Sequence, residues 1–594
     1  MIDKLDQLLN LGENEKVLEI LFRKDSLSLE ERIFKARALE MRFDEFVLQA
    51  EEIINEVIQQ IVPLNDKILE LKARSAKLNI LIKFMNFKLL QQELDAWVHL
   101  WEQCTAYEKQ TLRKAYATYL AIKSFSEAAR STDIEVFKSA SQDISLTIEI
   151  FESLNDYYSA SWALFIKALI DAAYGNIDAY QEMLSRVIKL SQTINNVFTS
   201  HELIKLHKGT VQIHEGKSDQ ALKTYEEVYI DALEHFPPWL YSWYFGGHGL
   251  GLLYLLLGQY PKVIESIPKI MRTNEKLKAV HQLAWDKRIL GEAYVQMGEI
   301  SKGKGLIEEA LEINREINDS TCLVQCLVKV CKLNYFLGDT EKAIDNLREA
   351  IGLLPKEKQI SNLDILWFLE GYYFFTILLL EQGMRAEAEK FFHTLTQRYQ
   401  KHSSKIMDFY FSLGEILLLK YEKRAVKKVM AQTKLEQLLK TTPEGWLSQE
   451  IYFYAVIHYL DLLLHEFNEF QEQEVLEEIL KILDETKRFA HKYYQTNFLV
   501  QFSVIEAKLL LIQGKLQEAN ELLENLAQQA EVVNIPRLKK QVEKELLAIE
   551  NTFSLWKKLI TDNVSLREKI EQSELISYIK SVRKVVELYY SERA

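Results

Sequence analysis

Leu290-Gly291-Glu292-Ala293-Tyr294, followed by Gly298, Gly303, Ile307 and Ala310, decides how this chain folds. One period later Gly338, Ala343, Leu347, Ala350 and Pro355 repeat the second half of the pattern. A unit of about forty residues with this grammar is one helical hairpin. Such a hairpin buries its apolar face only against its neighbours, so the pattern predicts a stacked array.

Working outward, a glycine recurs where each hairpin turns: Gly175, Gly216, Gly258, Gly298, Gly338, Gly383 and Gly514. Successive gaps among the first six are 41, 42, 40, 40 and 45 residues. Glycine suits this place because the residue just past a helix often turns left-handed. The links between hairpins also repeat, as Leu154-Asn155-Asp156, Ile194-Asn195-Asn196 and Ile317-Asn318-Asp319. There the first Asn ends one helix, and the following Asp or Asn is placed to cap the next.

Small residues sit five positions after the turn glycine: Ala221, Gly303, Ala343, Ala388 and Ala519. Four positions later come Tyr225, Ile307, Leu347, Phe392 and Leu523. The small residue lets the second helix approach the first, and the large one fills the groove between units.

These residues resemble the tetratricopeptide repeat (TPR) family, whose unit reads Trp-x2-Leu-Gly-x2-Tyr, then a small residue, an aromatic, Ala and Pro. Leu290, Gly291, Tyr294, Gly303, Ile307 and Ala310 fill most of that unit; Leu250, Gly251 and Tyr254 fill a first half. The match is good over 156–400, fair over 490–535 and weak elsewhere. It departs from the family in its longer period and in mostly lacking the Trp. The long period is similar to the extended TPRs of bacterial transcriptional regulators, peptide-sensing regulators and kinesin light chains. HEAT and armadillo repeats share the period but not the Leu-Gly-x2-Tyr spacing.

The expected fold is therefore all-α: a right-handed α-solenoid of roughly fourteen hairpins. Residues 1–150 read as four degenerate hairpins, with helices near 2–10, 14–23, 29–41, 44–61, 66–85, 88–103, 106–129 and 133–151. Core repeats span 151–400 and further repeats 401–535, two of which, within 404–491, lack a clear turn glycine. After Pro536 the stripe Leu538, Val542, Leu546, Ile549, Phe553 and Trp556 reads as a cap on the last repeat. A homodimer through these C-terminal helices is the second reading.

Composition agrees. The chain has 594 residues but only 20 Gly and 8 Pro, too few to punctuate an all-β fold. Its net charge of −13 argues against nucleic acid as ligand, which needs a basic stripe. Lys423-Arg424 with Lys427-Lys428, and Arg537 with Lys539-Lys540, read as solvated faces. Four cysteines, Cys104, Cys322, Cys326 and Cys331, form no disulfide framework and suit a cytoplasmic protein. The start lacks the basic and apolar runs of a signal peptide. Residues 236–260 carry no Asp, Glu, Lys or Arg, yet Pro237, Pro238, Gly246, Gly247, Gly249, Gly251 and the repeat markers mark them as a buried repeat helix, not a membrane span.

Candidate chemistry mostly dissolves. Gly298 to Gly305 almost spells a phosphate-binding loop, but it follows a helix and Gly305 stands where Ser or Thr should. His201-Glu202-x2-Lys205 lacks the second zinc-binding His, and His207 lies about 240° round the helix. His458, Asp461 and His465 read as an ordinary helix-surface group. Cys322 and Cys326 share one helix face, Cys331 the opposite one, and all read as small buried thiols. No nucleophile–base–acid set assembles, so no enzyme, cofactor or metal is expected.

The best binding candidates are aromatic residues with polar tips. Trp239, Trp243, Tyr244 and His248 follow Pro238 within one helix. Glu370, in Trp367-Phe-Leu-Glu-Gly-Tyr-Tyr-Phe-Phe, reads as facing the groove or pairing with a nearby base. By the resemblance, first helices line the concave face, which places Trp239, Trp243, Tyr244, His248, Tyr372 and Tyr373 there. The resemblance implies a non-catalytic adaptor gripping a peptide or partner helix. A sensor whose ligand changes superhelix shape or oligomeric state is the alternative.

Overall fold

The computed structural model describes residues 1–42, 46–131, 134–174, 177–196, 202–214, 218–234, 249–255, 257, 259–336, 339–353, 362–399, 405–441, 449–492, 496–532, 536–562, 564–576 and 578. Helices pair in sequence. Ile2–Asn10 turns into Asn14–Phe22, Leu29–Glu40 into Phe46–Ile61, Lys67–Phe84 into Phe87–Glu102, and Arg113–Ala129 into Ile134–Ser153. One difference from expectation is a break at Leu112, which detaches the short helix Ala106–Thr111.

Nine more hairpins follow among the described residues. Their first helices are Tyr157–Tyr174, Leu203–His214, 249–255, Val280–Gln296, Ser320–Phe336, Asn362–Glu381, Lys405–Lys420, Gln449–Phe470 and Thr496–Ile512. Pro536–Thr561 and Leu566–Gln572 form the last pair. Among the described residues there is no strand, and no helix is long and apolar enough to cross a membrane.

The turn chemistry is as the sequence demands. Gly298, Gly383 and Gly514 have φ of 91°, 74° and 80°, values that favour glycine. Asn155 and Asn318 take the same left-handed region. Asp156 then accepts from the Ser159 N–H, and Asp319 from the Cys322 N–H, each at 3.0 Å. Gly175, Gly216, Gly258 and Gly338 lie outside the described residues.

Packing within a hairpin rests on the small positions. A Cβ on Gly303 would stand 2.5 Å from the Gly291 carbonyl oxygen, and one on Gly291 would stand 2.7 Å from the Ile307 side chain. The two backbones touch because neither residue has a side chain. Ala221, Ala343, Ala388 and Ala519 are buried at the equivalent place, as are Tyr225, Ile307, Leu347, Phe392 and Leu523 four residues on. Each of these larger side chains contributes roughly 1.5–3 kcal/mol by leaving water.

The hairpins form two layers. The second helix Ile300–Glu316 buries only Gly303, Ile307, Ala310, Leu311 and Asn314, a single stripe. The first helix Val280–Gln296 is buried on nearly every side, including Asp286, Arg288 and Glu292. First helices are the inner layer and second helices the outer one.

The coil closes on itself. Hairpin turns of the first superhelical turn meet inter-hairpin links 155 to 192 residues later. The Asn195 N–H donates to the Leu11 carbonyl at 2.7 Å, and Asn196 Nδ2 donates to the Met41 carbonyl at 3.2 Å. Asn86 Nδ2 reaches the Lys278 carbonyl at 3.5 Å, and Ser320 Oγ donates to the Arg130 carbonyl at 2.9 Å. One superhelical turn thus takes between four and five hairpins. Leu277 and Ala279 pack into the apolar core of residues 5–194, making the seam part of that core.

At the other end, Val542, Trp556, Ile570 and Leu575 are buried against the last repeats. Lys508 Nζ pairs with Glu545 at 2.7 Å and donates to the Ser573 carbonyl at 3.1 Å. The Tyr578 hydroxyl donates to Gln501 Oε1 at 3.1 Å. The chain beyond Pro536 thereby folds back over the helix Thr496–Ile512.

Candidate functional site on the inner face

The inner face differs between its two ends. Around residues 370–460 it is filled. Tyr373 on one first helix, Lys420 on the next and His458 on the one after meet in a single buried network. Lys420 Nζ lies 2.6 Å from Asp461 Oδ2 and 3.0 Å from His458 Nδ1. An ammonium only donates, so His458 Nδ1 accepts and its Nε2–H is left to donate to Tyr373 Oη at 2.8 Å. Tyr373 also stacks on Tyr454, centroids 5.0 Å apart. Here a hairpin touches its second neighbour directly, through Tyr373 on His458 and Tyr454.

This corrects two expectations. Tyr372 and Tyr373 are each 1% exposed. Tyr372 packs against Phe391, Phe392 and Phe411, inside the hairpin stack, and Tyr373 faces inward but is covered. Neither ring meets solvent, because the curvature brings inner helices into contact. His458 and Asp461 are likewise buried, not a surface group. The Glu370 side chain and all of Trp239, Trp243, Tyr244 and His248 lie outside the described residues. The four cysteines are free and buried, as the sequence suggests.

A further buried ion cluster joins the first helices at 280–296 and 320–336. Glu292 is shared by Arg288 and by Lys329, whose Nζ is 3.2 Å away. Burial alone would raise the Glu292 carboxyl, but Lys329 and Arg288 outweigh it and hold the group below its ordinary value.

The first superhelical turn keeps an open space. A cavity of about 100 Å³ lies between the first helices Leu29–Glu40, Lys67–Phe84, Arg113–Ala129 and Tyr157–Tyr174. Trp162 and Phe125 line it and are only half-buried. Trp162 meets Phe165 edge-on, centroids 5.6 Å apart. At its polar side Lys83 Nζ lies 2.8 Å from Glu40 Oε1, with Arg37 Nε 3.6 Å from Glu40 Oε2. Two bases and one acid thus stand beside aromatic walls. Burial, and then the Glu40 carboxylate, push the Tyr158 phenol far above its usual range, so it stays protonated. An apolar concavity with a few convergent polar groups is the ordinary form of a ligand site. Sequence reading missed it because the hairpins before residue 156 match the repeat pattern poorly, which hides the inward-facing positions.

Close Gly291–Gly303 packing, left-handed turn residues and two-layer hairpins settle the architecture. The chain is a TPR-like helical solenoid. No protein-family model matches it, and no curated protein matches it. Solved structures similar to it include a Rap protein complexed with competence and sporulation factor, at 14% identity and TM-score 0.44, covering 63% of this chain and 99% of that one. Another is the human IFIT1 dimer with PPP-AAAA, at 14% identity and TM-score 0.39, covering 73% and 90%. A third is the APC/C hetero-tetramer Cut9–Hcn1, at 11% identity and TM-score 0.39, covering 93% and 92%.

Proposed function

We propose that this protein is a non-catalytic interaction scaffold which holds a peptide or partner helix on its inner face. The observation that carries this reading is the cavity at Trp162 and Phe125, with Arg37, Lys83 and Glu40 at its polar side. Half-buried rings on a rigid wall supply contact area without an ordering cost. The buried ion clusters elsewhere are internally paired, which fits a structural role for them and not a reaction centre. Trp239, Trp243, Tyr244 and His248 remain proposed contacts on the next stretch of the same face. The division of the repeats near 150, 400 and 535, a C-terminal dimer contact and a cytoplasmic setting belong to the same proposal; four free buried thiols fit that setting.

A peptide library displayed on phage, selected on the immobilised full chain, tests this. The expected outcome is an enriched motif whose capture falls at least tenfold with Trp162→Ala or Trp243→Ala, while circular dichroism stays unchanged. Absence of any enriched motif, or capture indifferent to both variants, defeats the proposal.

A further inference from the structure

Beneath the seam between superhelical turns, three donor side chains converge. His281 begins one inner helix, and Asp319 and Cys322 begin the next. One ligand atom from each lies within 4.8 Å of the other two, and all three residues are buried. His281 Nδ1 and Asp319 Oδ2 are 2.8 Å apart, at ion-pair distance, and neither atom has a further hydrogen-bond partner among the described residues. Two buried ligand atoms with no other partner are available to a shared third centre.

The geometry points to a binding site for a divalent cation of the zinc class, ligated by His281, Asp319 and Cys322. Imidazole nitrogen, carboxylate oxygen and thiolate sulfur are the donors zinc takes, with four-coordinate geometry usual. Thiolate and carboxylate together offset the two positive charges of the ion. The surroundings orient the donors. The Trp285 indole N–H donates to Cys322 Sγ, the Cys322 N–H donates to Asp319 Oδ1 at 3.0 Å, and the Phe87 ring edge packs on the His281 ring at 4.9 Å. Such outer contacts fix ligand orientation. Phe87 belongs to the first superhelical turn, and Asn86 and Arg130 of that turn bond to the chain at Lys278 and Ser320. A bound ion would therefore clamp two adjacent inner helices where the coil closes, and metal occupancy would stiffen the seam.

Residue spacing hides this site. His281 stands 38 residues before Asp319, and Cys322 sits with Cys326 and Cys331 in a helix that reads as core.

Cobalt(II), then zinc, titrated into the chelator-stripped full chain gives the test. One cobalt per chain should bind, with a thiolate-to-metal band in the near ultraviolet, and zinc should displace it and raise the melting temperature. Cys322→Ser should abolish the band. Asp319→Asn, which keeps the helix cap, should weaken binding at least tenfold, and Cys326→Ser should change nothing. A wild-type chain that binds no cobalt overturns the assignment without recourse to any variant. So does an unchanged band in Cys322→Ser, or its loss in Cys326→Ser.

Discussion

Asn195 gives its backbone N–H to the Leu11 carbonyl, joining residues 184 positions apart in sequence at 2.7 Å. Its neighbour Asn196 is buried and donates to Met41. This seam makes the first superhelical turn a closed ring of hairpins. Replacing Asn196 with Ala leaves the buried Met41 carbonyl without this donor, a loss of about 1–3 kcal/mol. Urea unfolding should show that loss, and small-angle scattering should show a larger radius of gyration. An unchanged radius and midpoint would mean the turns are held by other contacts.

Two glycines in one helix should respond oppositely. Gly303→Ala drives a Cβ to within 2.5 Å of the Gly291 carbonyl oxygen and 2.9 Å of the Val295 nitrogen. Those are backbone atoms, so the hairpin must splay, costing about 2 kcal/mol or more, in the range of other overpacked sites. Gly305→Ala meets nothing within 4 Å and should stabilise by about 0.5–1 kcal/mol through helix propensity. Thermal melts of the two variants decide the matter; equal effects would refute the close approach.

The Lys420–Asp461 pair is buried among apolar neighbours and completed by His458 and Tyr373. Removing one charge strands the other, so Lys420→Met should cost about 3–5 kcal/mol. Lys420→Met combined with Asp461→Leu should recover much of that, because no charge is then left buried. A double variant as unstable as the single one would show that shape, not charge, governs the network.

Acid should act partly through Glu292. Its folded value lies below the ordinary one, so its contribution is fully present above the unfolded value of about 4.3 and is lost as pH falls through the folded value. Glu292→Gln should therefore flatten the stability profile below about pH 4.3, and at neutral pH it should destabilise by about 3–5 kcal/mol, since Arg288 and Lys329 lose their shared anion. A Gln variant with the same acid limb would remove Glu292 from the titration.

Much of the local structure is legible in the chain. Gly298, Gly383 and Gly514 mark left-handed turns because only a residue without Cβ adopts them freely. Asn155-Asp156 and Asn318-Asp319 spell a helix end followed by a cap. The pairing of Gly303 with Ile307 states which faces approach. These are short-range requirements, met within one hairpin, so the local pattern carries them.

The sites are another matter. Tyr372 and Tyr373 look alike in sequence, yet one packs outward on Phe392 and the other inward on His458, and both are covered. Trp162 occupies a weakly matching hairpin and still opens on a cavity. What the sequence alone determined is the hairpin: its length, its turns, its caps and its close inner contact. Tertiary structure alone decided how sharply the stack curves, and thus where the inner face is filled, where it stays open and which distant links touch. Curvature sums small rotations between successive hairpins, each set by side-chain packing across an interface that no forty-residue pattern records.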